Sequence, residues 1–123
     1  MRSVIHFPLA KRILTSVRLP NDKPITIVER KIVRYTVADD ARITLAQGQL
    51  LIGGYVEVVA QVVTAPGVMI LADEEGLLKG LPPSFIRDIV GPVLILATVN
   101  DESGGQWVGM TEEQELFQLA LLF

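Results

Sequence analysis

The chain has 123 residues, a length typical of one domain that can bury a core of its own. Half of the residues are hydrophobic and 20% are charged, as in folded rather than disordered proteins. The absence of cysteine excludes a disulfide framework, a thiolate metal site and a cysteine nucleophile. Since no apolar run reaches the roughly 18 residues that span a bilayer, we expect a cytoplasmic protein that does not enter a membrane.

Charge is distributed unevenly along the chain. Residues 1–61 carry nine basic and five acidic residues, whereas residues 62–123 carry two basic and nine acidic residues, so the halves are +4 and −7. A chance split, a basic face for an anionic ligand and complementary faces that meet in an oligomer are all consistent with this asymmetry. The high mean hydropathy favours a homo-oligomer, because large apolar patches are unusual on monomers.

The N-terminal third is rich in residues typical of strands. Val4, Ile5 and Phe7 predict a short strand, and residues 11–19 predict a second strand or a short helix. Residues 19–24 have the composition of a turn. Residues 25–37 form a β-branched stretch whose alternation changes phase at 29–31, which a bulge or a tight hairpin would explain.

A helix is predicted over residues 41–52. Asp39-Asp40 can cap its N-terminus, and Gly53 can end it in the left-handed conformation. A hairpin should follow, with strands at 55–63 and 68–72 joined by a turn at Pro66-Gly67. Asp73-Glu74-Glu75-Gly76 reads as a solvated turn.

Ser84 can cap a short helix that reaches Val90, before Gly91-Pro92 ends it. Residues 93–99 are almost entirely apolar and predict a central strand buried on both faces. A polar turn is expected at 100–105.

The C-terminal helix should begin after Thr111, which forms a capping box with Gln114. The helix is apolar nearly all round, so we expect it to be deeply buried or shared between chains. One stripe of the helix consists of Leu116, Leu119, Ala120 and Phe123, and Phe117, Leu121 and Leu122 lie off it. The succession of elements predicts a single α+β domain over residues 1–123, with a mostly antiparallel sheet.

Residues 53–83 contain a Gly-Gly-Tyr segment, a Glu-Val-Val strand, an Asp-Glu-Glu-Gly turn and a Lys-Gly-Leu-Pro-Pro run. With Gly91 and the Thr-Glu-Glu start at 111–113, this pattern resembles a family of small phage, plasmid and bacterial proteins known only as a domain of unknown function. The resemblance covers about residues 43–120, and residues 1–40 are more divergent. It implies a phage or mobile-element context and no defined activity.

No catalytic or metal-binding residue is predicted. His6 is the only histidine and has no evident partner, so the common nucleophile–base pairs and zinc sites are not expected. Three consecutive carboxylates at 73–75 would not converge in a strand, because successive side chains point to opposite faces. We therefore expect a protein without catalytic activity.

Ligand-binding residues are predicted from a cluster of basic and aromatic side chains. Arginine and tyrosine together can hold a phosphate and stack on a base, although a solvated basic edge has the same composition. Glu57 lies in an apolar strand, so it would be paired with Lys79 or contact a ligand. The predicted binding residues are Arg30, Arg34, Tyr35, Arg42, Tyr55, Glu57 and Lys79.

Three functions are compatible with these patterns. The first is sequestration of an anionic small molecule, plausibly a nucleotide signal of host defence, by a phage or mobile-element accessory protein. The second is a protein–protein inhibitor or adaptor whose acidic residues dock on a host defence or nucleic-acid enzyme. The third is a carboxylate-dependent phosphodiesterase. Duplex nucleic acid is not expected as a ligand, because the net charge is −3 and no basic recognition helix is evident.

Overall fold

The computed structural model describes residues 1–9, 11–18, 24–29, 31–86, 88–101 and 104–123, with backbone alone for 11–18, 24–29 and 101. The predicted α+β fold with a mostly antiparallel sheet is confirmed. The elements are β1 (Arg2–Phe7), β2 (Lys11–Arg18), β3 (Pro24–Glu29), β4 (Val33–Val37), β5 (Arg42–Ile43), α1 (Leu45–Ile52), β6 (Val56–Val58), β7 (Val68–Asp73), β8 (Val93–Asp101), β9 (Gly104–Val108) and α2 (Glu112–Leu122).

Seven strands form the main sheet, in the order β4-β1-β8-β7-β6, with β9 pairing to β8 and β5. All of these pairings are antiparallel. The predicted central strand is confirmed, because β8 pairs with β1 and β9 along one side and with β7 along the other. Residues 93–96 of β8 have no exposed surface. Such a strand must be apolar on both faces.

Alternation along the strands divides the core into two layers. On one face, which we name the α1 face, Val4, Leu71 and Leu94 pack with Ile52 of α1. On the other, the α2 face, Ile5, Ile70 and Ile95 are among the buried residues, and Leu122 of α2 packs against them. The sheet is therefore covered by one helix on each side.

Residues 25–37 do not form one bulged or hairpin-like strand region, and that prediction was wrong. β3 pairs with β2 in a separate two-stranded sheet, whereas β4 pairs with β1 in the main sheet. The change of phase at 29–31 thus marks a change of sheet. Residues 11–18 are a strand rather than a helix. The turn predicted at 19–24 falls mostly at 19–23, outside the described residues.

Helix α1 begins at Leu45 rather than at residue 41. Asp39 and Asp40 lie in a turn, and Thr44 caps the helix instead. Its hydroxyl accepts the N–H of Gln47 at 3.1 Å, while the Gln47 side chain accepts the N–H of Thr44 at 2.8 Å. This reciprocal box satisfies two backbone donors, which one carboxylate would not. The predicted C-terminal end is confirmed, because Gly53 has φ 86°.

Three further segments also differ from expectation. The first hairpin strand is only Val56–Val58, although the turn at Pro66-Gly67 is confirmed by the Val68 N–H donating to Ala65 at 3.0 Å. No helix runs through the described part of 84–90, where Ser84 Oγ accepts the N–H of Ile86 at 3.0 Å and Pro83 forms an isolated bridge with Val90. Residues 104–108 extend β8 into a hairpin instead of remaining a polar turn.

Candidate functional site

Helix α2 turns two of its polar side chains, those of Glu115 and Gln118, towards the core. Gln118 is fully buried, and its amide oxygen accepts the N–H of Ala65 at 2.7 Å while its amide nitrogen donates to the carbonyl of Val63 at 3.4 Å. Glu115 is also buried and receives two hydrogen bonds from the Arg34 guanidinium, at 2.7 and 3.1 Å. These contacts join α2 to the 63–65 loop on one side and to β4 on the other, so they fix its rotation.

The paired guanidinium makes Glu115 a stable anion. Hydrogen bonds from Arg34 lower the pKa of Glu115 more than partial burial raises it, and the charge of Arg34 lowers it further. The hydrogen bonds and charge of Glu115 in turn raise the pKa of Arg34. A bidentate pair of this kind restrains direction as well as distance. Arg34 is therefore engaged with Glu115 within the fold.

The rotation of α2 leaves its large apolar side chains in solvent. Leu116 is 66% exposed and Phe123 is 69% exposed, so the helix is not deeply buried on every side. Phe117 and Leu121 are also exposed. Exposed side chains of this size cost hydrophobic free energy unless another surface covers them.

A groove and a cavity continue this surface beyond α2. The groove, of about 430 Å³, lies between the end of α2 and the loops that carry Val63 and Phe85. It shares Gln61 and Asp88 with a cavity of about 350 Å³. Three exposed carboxylates line that cavity, from Glu57, Glu74 and Asp88.

The exposed apolar side chains of α2, the groove and this acidic cavity together form what we name the apolar–acidic face. Sequence reasoning missed this face, since its members lie on α2, β6 and two loops. The single signal for it was a C-terminal helix that is apolar on every side.

Asp73 is buried rather than part of a solvated corner. Its side chain is 1% exposed and accepts a hydrogen bond from Lys79 Nζ at 2.7 Å and another from the Glu75 N–H at 2.8 Å. Burial alone would raise the pKa of Asp73, but these hydrogen bonds and the charge of Lys79 outweigh it and lower the pKa. Lys79 thus pairs with Asp73, and the predicted ion pair between Glu57 and Lys79 was wrong. Glu57 is exposed at the rim of the cavity.

The predicted ligand-binding residues lie in separate places. Arg34 and Tyr35 are neighbours on β4, so their side chains lie on opposite faces at one edge of the sheet. Tyr55, Glu57 and Lys79 lie near β6, at the opposite edge. Arg42 is in β5, and Arg30 lies outside the described residues. The fold does not bring the described members together in one cluster, and their ligand binding stays a prediction.

His6 has a structural environment. It is 7% exposed, and its Nε2 donates to the carbonyl of Leu51 at 3.0 Å, which joins β1 to α1. Burial lowers the pKa of His6 more than this hydrogen bond raises it. The neutral ring is therefore favoured, with its proton on Nε2, because a carbonyl can only accept.

Within the ranges described, no three or more His, Cys, Asp or Glu side chains are grouped so that they could hold a metal ion. Over the same ranges, no helix combines the length and the apolar character that crossing a membrane requires.

Comparison with known proteins gives one match. The family model described as "Domain of unknown function (DUF3846)" matches residues 22–121, which include every segment of the Gly-Gly-Tyr to Thr-Glu-Glu pattern. No curated protein and no solved structure matches the chain. Since the matched residues make up most of the sequence, this chain belongs to the DUF3846 family.

Proposed function

We propose that this chain is a non-catalytic binding protein that docks on another protein through its apolar–acidic face. The observation that carries the proposal is the orientation of α2, whose Glu115 and Gln118 are buried while Leu116, Phe117 and Phe123 face solvent. In a helix without a partner, the apolar side would pack on the core and the polar side would meet water. The inverted arrangement preserves an apolar surface for a second molecule.

The chemistry of the face indicates the kind of partner. Each apolar side chain that becomes fully buried contributes about 1.5–3 kcal/mol, and aromatic anchors such as Phe117 and Phe123 are enriched in interface centres. The carboxylates of Glu57, Glu74 and Asp88 suit a lysine or arginine side chain of the partner. The matching surface is therefore apolar at its centre and basic at its rim.

Enzymes that act on nucleic acids carry basic surfaces, because they neutralise phosphates. We therefore favour a nucleic-acid or defence enzyme of a bacterial host as the partner, with this chain as its inhibitor or adaptor. The phage or mobile-element context implied by the sequence resemblance supports this choice.

Differential capture from bacterial lysate tests the proposal. The bait is the whole chain, compared with Phe117→Ser, with Glu57→Lys and with Leu50→Ser as the matched control. Leu50 is also an exposed apolar residue, at 83%, but it lies on α1, on the opposite side of the sheet. We expect a stoichiometric partner with the wild type and Leu50→Ser, and a loss of at least about tenfold with the other two.

Hydrogen exchange provides the second measurement. Amides of residues 112–123 should become protected when the captured partner is added back, since α2 lies in the interface. A partner held equally by all four baits, or one that leaves α2 unprotected, would contradict the proposal.

A second candidate function is binding of an anionic small molecule beside Tyr35. The observation that favours it is a groove of about 320 Å³ lined by Tyr35, Ile43, Gln47 and Leu50, in which the tyrosine ring is 40% exposed and could stack on a base. Calorimetry with a panel of linear and cyclic nucleotides tests this candidate, with Tyr35→Ala as the variant expected to lose the heat of binding. Absence of binding at high micromolar nucleotide would exclude it.

A further inference from the structure

Strand β6 forms one edge of the main sheet. Among the described strands, only β7 pairs with it, along one of its two sides. An open edge offers unpaired backbone N–H and C=O groups to an extended chain that approaches it. Addition of such a chain as a further strand is a recurring mode of peptide recognition. The backbone of β6 therefore offers a surface that an extended segment of a partner fits.

The outward backbone groups of β6 belong to Val56 and Val58. The Val59 N–H donates to the carbonyl of Ile70 at 2.8 Å, so the backbone of Val59 points towards β7. Bonded and non-bonded residues alternate along each side of an antiparallel strand. Glu57 therefore also points its backbone towards β7, whereas the N–H and C=O groups of Val56 and Val58 point outward. Within the described residues, these outward groups have no hydrogen-bond partner.

The two faces of β6 differ in chemistry. Val56 packs on the α1 face, against the cluster that contains Leu71. Val58, which is 57% exposed, lies on the same face because successive side chains alternate. Glu57 points to the α2 face, where it lines the cavity of about 350 Å³ together with Ala72. Over its three residues, the edge is therefore apolar, acidic and apolar.

Three carboxylates of this cavity carry unpaired charge. Asp73 also lines the cavity, but Lys79 Nζ lies 2.7 Å from its carboxylate and neutralises that charge. The side chains of Glu57, Glu74 and Asp88 form no ion pair or hydrogen bond with any described residue. The cavity therefore suits a cationic group that the partner supplies.

Two exposed leucines border the same cavity. Leu77 and Leu78 line it and are 83% and 89% exposed. Lysine and arginine side chains lay their apolar stems on such surfaces while the charged end reaches a polar environment. The cavity thus provides both parts of the contact, with leucine side chains for the stem and carboxylates for the charge.

We propose that a partner adds an extended segment to β6 as an antiparallel strand, with a lysine or arginine between two apolar residues. The basic residue lies opposite Glu57 and enters the cavity, while the apolar residues lie opposite Val56 and Val58. All pairings of the main sheet are antiparallel, and this geometry lets directly opposite residues exchange both backbone hydrogen bonds. The inference rests on the proposed function, because the cavity belongs to the apolar–acidic face.

The other edge of the sheet does not select a partner in this way. The single charged residue of β4 is Arg34, whose guanidinium is bonded to Glu115. Opposite charges on neighbouring strands stabilise their pairing. Since the charge of Arg34 is already neutralised within the fold, the unpaired charges at a strand edge are those beside β6.

Hydrogen exchange measured by NMR, with a peptide probe, tests the added strand. The probe is acetyl-Thr-Val-Lys-Val-Thr-amide, and the control peptide has glutamate in place of lysine. We expect the probe to slow exchange of the Val56 and Val58 amides about tenfold when its free concentration is ten times its Kd. The Glu57 amide, already bonded to β7, should change little. No binding up to about 1 mM, equal binding of the control peptide, or protection without this alternation would overturn the proposal.

Methylated probes test the backbone contacts without altering the protein. N-methylation of both valines removes the N–H groups that face β6, so this peptide should not bind. N-methylation of the lysine removes an N–H that faces away from β6 and should weaken binding far less. Equal losses from the two methylated peptides would overturn the proposal.

Charge variants of the protein test the cavity contact. Glu57→Lys should weaken binding of the lysine probe by at least about tenfold, because the probe then meets a like charge. Glu113→Lys is the matched control, since it changes the net charge equally but lies on α2 outside the cavity, and it should leave binding unchanged. Equal losses in both variants would overturn the proposal, because they would report the net charge alone.

Val58→Pro separates this inference from the proposed function. The Val58 N–H takes no part in the β6–β7 ladder, so the variant should keep a native circular dichroism spectrum and lose both the probe and the lysate partner. A partner that Val58→Pro holds as well as the wild type, but that Phe117→Ser loses, would overturn the added strand and keep the proposed function. Binding of the probe with the expected alternation, together with a partner that Phe117→Ser still holds, would keep the added strand and overturn the proposed function.

Discussion

The two helices of this protein cover the two faces of one sheet and begin in the same way, but they bury different kinds of side chain. Thr44 and Gln47 cap α1, and Thr111 and Gln114 cap α2, each with both reciprocal hydrogen bonds. Beyond the cap, α1 buries Ile52, whereas α2 buries Glu115 and Gln118 and exposes Leu116 and Phe117.

This difference shows that the N-terminal cap of a helix and the rotation of the helix about its own axis have separate causes. The cap is decided within four residues, by hydrogen bonds that the sequence encodes locally. The rotation of α2 is decided by contacts with Arg34, Ala65 and Val63, which lie far away in sequence. The hydrophobic pattern of α2 alone therefore does not determine which of its sides packs on the sheet.

The largest predicted difference in unfolding free energy is between two variants that each truncate one apolar residue, one on each helix. Ile52→Ala removes a side chain that is 1% exposed from the core under α1, so the free energy of unfolding should fall by about 2–5 kcal/mol. Leu116→Ala on α2 should change it by less than about 0.5 kcal/mol, because that side chain is 66% exposed. Urea unfolding followed by circular dichroism measures both.

Equal losses in these two variants would mean that α2 packs through its apolar stripe in solution. Leu50→Ala is the matched control on α1, since Leu50 is 83% exposed and should behave like Leu116.

Replacing the buried glutamine of α2 is the second way to test the comparison. Gln118→Leu keeps a similar volume but leaves the N–H of Ala65 and the carbonyl of Val63 without their partner. An unsatisfied buried donor costs about 1–3 kcal/mol, and we expect a loss in that range by urea unfolding. Glu113→Leu places the same side chain at an exposed position and should have little effect. A stabilised Gln118→Leu variant would show that the polar contacts do not hold α2.

The parts of the fold that the sequence predicted correctly are those determined locally. The apolar run of β8, the glycine that ends α1, the Pro66-Gly67 turn and the Thr111 cap each depend on neighbouring residues, and all four are confirmed. The start of α1 was misplaced, because two acidic residues at 39–40 competed with a threonine that forms a complete capping box.

The candidate site could not be predicted, because long-range pairing decides it. The charge of Asp73 and Lys79, six residues apart, does not by itself show that Asp73 is buried, since their ion pair forms only because the chain turns back to bring Lys79 to 2.7 Å. The prediction of a basic ligand-binding cluster around Arg34 assumed that the charge of Arg34 is free. Glu115, which lies 81 residues away in sequence, pairs with that charge. Local charge patterns identify ionisable residues but not their partners.

Removing the two caps should have equal effects on the two helices. Thr44→Ala and Thr111→Ala each leave a helix N–H unsatisfied, so each should cost about 1 kcal/mol of unfolding free energy. The equality is expected even though the helices bury different kinds of side chain, since a cap acts only on the first turn. Thermal unfolding of both variants measures it, with Thr44→Ser and Thr111→Ser as conservative controls. A cost confined to one helix would show that the caps are not independent of packing.

The smallest expected effect is the acid dependence of the α2 anchor. The pKa of Glu115 in the folded state lies below its ordinary 4.5, so the stability from its pairing with Arg34 is present above about pH 4.5 and is lost as the pH falls through the lowered value. Glu115→Gln cannot titrate there. The stability difference between wild type and Glu115→Gln should therefore be constant above about pH 6 and shrink on acidification. Urea unfolding of both proteins at successive pH values measures this stability difference. Because Asp73 titrates in both proteins, only the difference between them, and not the stability of either alone, reports on Glu115. A difference that does not change down to about pH 3 would show that the Arg34 pair does not hold α2 in its inverted orientation.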